Sequence, residues 1–330
     1  MHTKPMPIVD QFTEACKQAV FGSANLHQQC AIGLRDPQRE VSVWLNGPGV
    51  CRDVTDRNVM AAAQPLTLGV GLEGGCDAAA IRRSCPSLEF RERGGKHRLL
   101  GKINLRPLDE IPLGEGQLYL FRARGCRNYC LSRARVWAHY TYYAYRQWRA
   151  RARASASTFR MVASELRSVF VFYICPRPVV LVSVSDGNLA NIFPMDLIGP
   201  IGARHFALAL HSTSAAVPLI ERSLRIALSS IPVEQTATAY KLGENHKRPS
   251  VDWADAPFAT SPSAAFGIPV PRFSLRVREM RIEAVRDLGS HKLFLANTVE
   301  DTQWAEGLQM FLVHGIYQAR RHHALREATI

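Results

Sequence analysis

Along most of the chain, apolar and polar residues alternate at period two in short runs, a pattern that predicts strands. After a short helix expected over Gln11–Phe21, Ala31–Leu34 is a brief apolar run and Asp36-Pro37-Gln38-Arg39 a turn. Val41-Ser42-Val43-Trp44-Leu45 then alternates as a strand. Pro65–Leu72 is another strand and Leu88–Arg91 a weaker one, while Leu99–Leu105 and Gln117–Arg124 read as a pair joined through Pro107–Gly116.

The period changes at Ser132–Arg153, where Val136, Tyr140, Tyr143 and Trp148 recur at helical spacing and arginines gather toward the end. Cationic side chains suit a helix C-terminus, where the dipole is negative. Ala154–Thr158 is small and polar and reads as a linker, followed by a second short helix over Met161–Val169. The β pattern then returns. Val179–Val184 is a continuous β-branched run, Ser185-Asp186-Gly187-Asn188 a hairpin turn, and Ala190–Phe193 and Phe206–Leu210 further strands. Ser214–Ser223 is expected to be a helix, Arg225–Leu228 a strand, and Lys241–Pro262 a long polar loop of the kind that is usually functional or disordered. Phe273–Val285 and Lys292–Val299 close the β set through Asp287–Ser290, and the tail Leu308–Ala324 is predicted helical because Leu308, Phe311, Leu312 and Ile316 share one helical face.

The two halves echo each other. Leu113–Leu120 aligns without gaps to Leu288–Leu295, Ala31–Leu45 to Leu181–Met195, and Pro65–Leu72 to His205–Ser212. Two copies of one β architecture are therefore expected. Gly116 stands where the second copy has His291, and the first copy has no counterpart of the Lys241–Pro262 loop. Any functional site is expected in the second copy.

Composition changes this picture in one place. The 330 residues are 47% apolar, ordinary for a chain with a sizeable core, and suggest about two domains. The formal charge of +13 is concentrated: ten arginines and no acidic residue lie between Phe121 and Arg160. Eight cysteines are few for this length and fit a reducing compartment. The first residues lack the apolar core of a signal peptide, and no apolar run is long enough for a membrane helix, so the cytoplasm and no membrane partner are expected. Metal ligation is not expected. Cys126 and Cys130 are separated by three residues with no second Cys/His pair nearby, and His322-His323 reads as solvated. The Gly-x-Gly-x-x-Gly run at 69–74 starts inside the predicted strand Pro65–Leu72 and not after a strand, and no P-loop occurs, which argues against a Rossmann dehydrogenase.

A further set of residues carries a resemblance. Arg177-Pro178-Val179-Val180-Leu181-Val182-Ser183-Val184, a turn, and Asn191-Ile192-Phe193-Pro194-Met195-Asp196 resemble the opening of flavin reductase-like domains. Ala207–Leu210 with Ser212-Thr213-Ser214, then Lys241-Leu242-Gly243 with His246-Lys247, Val251-Asp252-Trp253 and Gly289-Ser290-His291, resemble later segments of that family in the same order. The resemblance covers about 130 residues. It implies a mainly β fold with flanking helices: tandem split β-barrels, the first degenerate, joined by an arginine-rich helix. The expected divisions are 1–130 for the degenerate barrel, 131–166 for a helical linker and 167–330 for the FMN-binding barrel. The family fold usually dimerises around FMN, so the first barrel is expected to stand in for a second subunit as an intramolecular pseudo-dimer.

By resemblance and by chemistry, Ser183, Val184, Ser185, Ser212, Thr213 and Ser214 are the expected phosphate-side contacts, with a helix beginning near Ser214 aimed at the phosphate. Asn191, Ile192, Phe193, Pro194, Met195 and Asp196 are expected against the flavin ring. Asp196 occupies a place where the family often has Ser, and either faces the flavin or caps a turn. His246 and Lys247 either hold a phosphate or belong to a solvated loop. His291 is the catalytic candidate, near a nicotinamide pocket in resembling reductases, with NAD(P)H as donor and a partner monooxygenase among the acceptors implied. Against this stands a plain turn histidine.

Three function classes stay open at this point: an FMN-dependent NAD(P)H oxidoreductase, a flavin-binding sensor or electron-transfer protein, and a nucleic-acid-binding protein on a degenerate barrel. For the arginine-rich stretch, the reading preferred over nucleic-acid binding is a helix whose aromatics pack between barrels while its arginines face water. A third reading has those arginines reach a flavin or nucleotide phosphate.

Overall fold

The computed structural model describes residues 17, 19–21, 26–73, 81, 85–94, 97–114, 116–151 and 161–327. The helix expected over 11–21 and the linker over 154–158 lie mostly or wholly outside them. In chain order, β1 (Gln29–Leu34) precedes seven strands: β2 (Val41–Gly47), β3 (Val50–Asp53), β4 (Asn58–Ala63), β5 (Leu66–Glu73), β6 (Ser87–Glu92), β7 (Leu99–Leu113) and β8 (Gly116–Asn128). Helices α1 (Arg133–Arg151) and α2 (Ala163–Phe172) follow. The second half holds β9 (Arg177–Pro178), β10 (Val180–Asp186), β11 (Leu189–Met195), β12 (Ile198–Pro200), β13 (His205–His211), helix α3 (Val217–Ser223) and β14 (Arg225–Ser230). It ends with α4 (Thr236–Leu242), β15 (Thr260–Pro262), β16 (Pro269–Pro271), β17 (Arg276–Asp287), β18 (His291–Gln303), β19 (Gln309–His314) and α5 (Gly315–Glu327).

Two seven-stranded sheets have the same connectivity. The first runs β3-β2-β6-β7-β8-β5-β4 and the second β11-β10-β14-β17-β18-β13-β12. Numbering each set of seven along the chain gives an identical spatial order, so the internal repeat is a repeat of topology. One of the three sequence alignments is out by a strand. β2 with β3, not β1 with β2, corresponds to β10 with β11. The reason is that β1 leaves its own sheet and pairs with β19, which also pairs with β9.

Strand parity divides the core. In the second sheet Leu208, Leu210, Phe294 and Ala296 point inward with Val182, Val184, Phe193 and Leu228. Their neighbours Ala207, Ala209, Leu293 and Leu295 point outward and meet Val59, Ala61, Ile111, Leu118 and Leu120 of the first sheet. The outer face of one copy is thus buried on the outer face of the other, each fully buried aliphatic side chain contributing roughly 1.5–3 kcal/mol. Contact is close enough that a Cβ on Gly71 would lie 1.8 Å from the Ile201 carbonyl oxygen. Arg177 ties the halves further. Its guanidinium lies over the Phe172 ring and donates to the Asn58 carbonyl at 3.2 Å and to Asn58 Oδ1 at 2.5 Å.

Other expectations are corrected. The tail is a strand and then a helix, because Met310-Phe311-Leu312-Val313 is buried on both sides in the β1-β19-β9 sheet. The 241–262 segment is not an open loop. α4 ends in it and single 3₁₀ turns fill Gly243–Lys247 and Trp253–Asp255. Asn245 and Asn191 pin it to β11: Asn245 donates to the Ile192 carbonyl at 2.8 Å and Asn191 to the Arg248 carbonyl at 2.7 Å. The β10–β11 hairpin turns at Gly187-Asn188, where Gly187 takes φ 59°.

α1 packs through Val136, His139, Tyr140 and Tyr143, which share one face and meet Phe170 and His314. Trp137, Tyr145 and Trp148 lie elsewhere on the helix and are 55%, 50% and 65% exposed. The expectation that the aromatics pack inward therefore holds for only part of the helix. No helix among the described residues is long and apolar enough to cross a membrane.

Candidate functional site

A cleft of about 500 Å³ opens along the outer side of the second barrel. One wall is the end of β11 and the residues just after it (Pro194, Met195, Asp196 and Leu197), the floor Ala209 and Leu210 of β13, and the polar end Thr213, Ser214, His246 and Lys247. His211 and His291 close one side.

His291 opens β18 after the turn Leu288-Gly289-Ser290, in which Gly289 takes φ 81°. It is 6% exposed. Ser290 Oγ lies 2.8 Å from Nδ1, and the Ala63 backbone N–H donates to the same nitrogen at 3.4 Å. Gln64 N–H in turn donates to Ser290 Oγ at 2.9 Å, so the Ser290 hydroxyl proton is directed at Nδ1. Accepting at Nδ1 leaves Nε2 as the protonated nitrogen of the neutral ring. Burial and the neighbouring His211, 5.3 Å away between ring centres, push the His291 pKa down to about 4. The ring is neutral at pH 7. It is a hydrogen-bond donor, not an acid. The residues that hold it, Ala63 and Gln64, belong to the first copy.

Asp196 sits at the cleft wall and accepts a 2.6 Å hydrogen bond from Tyr173 OH. Burial nevertheless holds its carboxyl above the usual range. His246 Nε2 donates to the Pro194 carbonyl at 3.0 Å, and its ring packs 4.6 Å from that of Phe193. Burial lowers its pKa as well.

The other expected residues fall into two groups. Pro194, Met195, Asp196, Thr213, Ser214 and His291 come together at the cleft. Val184, Phe193 and also Met195 pack inside the barrel, and Ile192 packs in the larger core shared with the first half. Ser183 is fully buried with its hydroxyl unpaired among the described residues, Ser185 accepts from Ser223 through its carbonyl, and Asn191 is spent on the 241–262 segment. The hydroxyls of Ser212 and Ser214 are committed to the Gly289 and His246 carbonyls. The helix expected from Ser214 begins at Val217. His246 and Lys247 both line the cleft, and no arginine of the 121–160 stretch does so among the described residues. Sequence reasoning missed Leu197, His211 and the Ala63–Gln64 turn, which no local pattern marks. The donor set fits a flavin: a flat apolar wall beside a polar end with one amine, in a volume suited to a cofactor.

No protein-family model matches the sequence, and no curated protein matches it. The structure is similar to those of flavin reductases and FMN-binding proteins. One is an NADH:FAD oxidoreductase from Streptomyces globisporus, at 16% identity and TM-score 0.41, covering 49% of this chain and 95% of that one. Another is an FMN-binding protein from Thermus thermophilus, at 19% identity and TM-score 0.40, covering 49% and 92%. A third is the styrene monooxygenase flavin reductase from Pseudomonas putida, at 14% identity and TM-score 0.38, covering 44% and 92%.

Proposed function

We propose that the chain binds FMN in this cleft and works as an NAD(P)H-dependent oxidoreductase of the flavin reductase type, passing electrons to an acceptor such as a partner monooxygenase. The observation that carries it is a single cleft where the second copy's Gly289-Ser290-His291 turn is completed by the first copy's Ala63–Gln64 turn. FMN bound there supplies the redox chemistry. Pro194 and Leu197 give the ring its wall and keep water from it. Lys247 provides the cation for the phosphate. His291, held neutral with Nε2–H, orients the nicotinamide by hydrogen bonding.

The test is the visible spectrum of the purified protein, followed by NADH or NADPH without oxygen. Flavin bands that bleach are expected, and His291→Ala should slow bleaching roughly 10–100-fold by misorienting the donor. Because the His291 pKa is about 4, the bleaching rate should show no fall between pH 5.5 and 8 traceable to this ring. Bands that persist after NAD(P)H would favour the sensor or electron-transfer reading, and a colourless protein that takes up no FMN would sink the proposal. Lys247→Ala should weaken FMN about tenfold while leaving riboflavin unchanged, because riboflavin lacks the phosphate. Equal losses for both would remove Lys247 from the phosphate site.

A further inference from the structure

We infer that the solvent face of α1 is a docking surface for single-stranded nucleic acid. Trp137, Thr141, Tyr145 and Trp148 fall at spacings of four, four and three, which places them on one stripe of the helix. The three rings are the exposed aromatics of α1, all at least half exposed. The opposite face is already consumed in packing through Val136, His139 and Tyr143, so the stripe is not a core face left open by chance. Tyr145 and Trp148 lie 6.1 Å apart with 30° between their planes, and Arg149 covers Tyr145 at 5.8 Å. Rings disposed in this way offer flat faces to further planar groups.

The charge around the stripe is of one sign. Arg133 and Arg149 flank the stripe on the helix and are exposed, Arg167 of α2 lies over the Trp137 ring at 5.0 Å, and none of the three forms an ion pair among the described residues. The stretch 121–160 contains no acidic residue to neutralise them. Elsewhere arginines do find carboxylates, as Arg276 and Arg278 do with Asp301. A polyanion is the charge complement, and the exposed rings select a polyanion carrying planar bases over an acidic peptide. A membrane surface would want a wider apolar face than three rings interrupted by Thr141 and flanked by arginines. At 1.5 Å per residue, Trp137 and Trp148 are ~16 Å apart along the axis, room for a few nucleotides. The surface is separate from the cleft, and its use does not depend on flavin binding.

The test uses the full-length protein and a labelled oligothymidylate of about 20 nucleotides, with anisotropy and tryptophan fluorescence read over a salt series. Binding with tryptophan quenching is expected at low salt, weakening as salt rises with a log–log slope of about −0.7 per phosphate contact. Trp137→Ala/Trp148→Ala should weaken binding at least about tenfold and leave the slope unchanged. Arg133→Ala/Arg149→Ala should make the slope shallower by about 1.4. All four positions are on the surface, so unchanged thermal unfolding serves as the folding control. The inference is overturned by absence of binding at about 50 mM salt. It is overturned equally if the tryptophan variants bind as the parent does, which would mean a generic polyanion effect. Binding to phosphatidylserine vesicles with none to oligothymidylate would replace it with a membrane surface.

Discussion

Replacing Gly71 by alanine is expected to cost at least about 3 kcal/mol of stability, at the upper end of what overpacking usually does. Gly71 lies in β5 of the first copy, and the atoms a Cβ would meet are the backbone of Ile201 in the second, with the carbonyl oxygen at 1.8 Å and the carbonyl carbon at 2.6 Å. No side-chain rotation can relieve a clash with backbone. Either the two sheets move apart, exposing Ala207, Leu295 and their partners, or β5 shifts out of register with β8. Chemical denaturation should show a midpoint far below the parent's, whereas Gly94→Ala, whose added Cβ would meet nothing within 4 Å, should be nearly silent. Similar midpoints for both variants would show that the copies are not packed as tightly as the Gly71–Ile201 contact requires. The same variant should also weaken flavin binding, since the Ala63–Gln64 turn that supports His291 rides on the neighbouring strand of the same sheet.

Acid is expected to destabilise the fold well before its carboxylates titrate. His314 is buried against Phe170, with ring centres 4.1 Å apart, and burial together with the nearby His139 lowers its pKa to about 3. Burial lowers the pKa of His139 too, and that of His291 to about 4. A histidine whose folded pKa lies below its unfolded value near 6.5 stabilises the fold fully above pH 6.5, and that contribution is lost as pH falls toward the folded pKa. For His314 alone the linkage amounts to about 4 kcal/mol between pH 6.5 and 3. His314→Phe keeps the ring stack and removes the titration, at a cost of about 1 kcal/mol for the Ile316 N–H that Nδ1 now accepts. Urea midpoints at pH 7.5 and 4.5 should therefore differ much more for the parent than for the variant. Equal pH dependence would mean that His314 does not carry the effect.

How much of this could be read from the sequence depends on how local each signal is. β10 and β11 were legible because a β-branched run, a Gly-containing turn and a second run sit next to one another. The repeat was legible where both copies keep a long hairpin, at Leu113–Leu120 and Leu288–Leu295. It slipped by one strand where β1 pairs outside its own sheet. Gln309–Val313 was misread as helix because a strand buried on both faces has no polar alternation to betray it, and its apolar spacing fits a helix equally well. The 3₁₀ turns at 243–247 and 253–255 leave no periodic mark. Of the cleft, His291, His246 and Lys247 could be found from sequence. The Ala63–Gln64 turn could not, because its contact with His291 spans 228 residues and depends on how two whole sheets meet.

The position of β19 bears on the order in which the chain is assembled. This strand lies between β1 and β9, and so joins the leading strand of the first copy to the leading strand of the second. It follows every other strand among the described residues, so during synthesis β1 and β9, each of which pairs with β19 alone in this sheet, must wait for it with that edge unpaired. Exposed edges of this kind invite pairing with other chains. The nascent protein is consequently most prone to aggregation just before β19 leaves the ribosome, and a premature stop upstream of Gln309 would leave both halves, not one, without their closing partner.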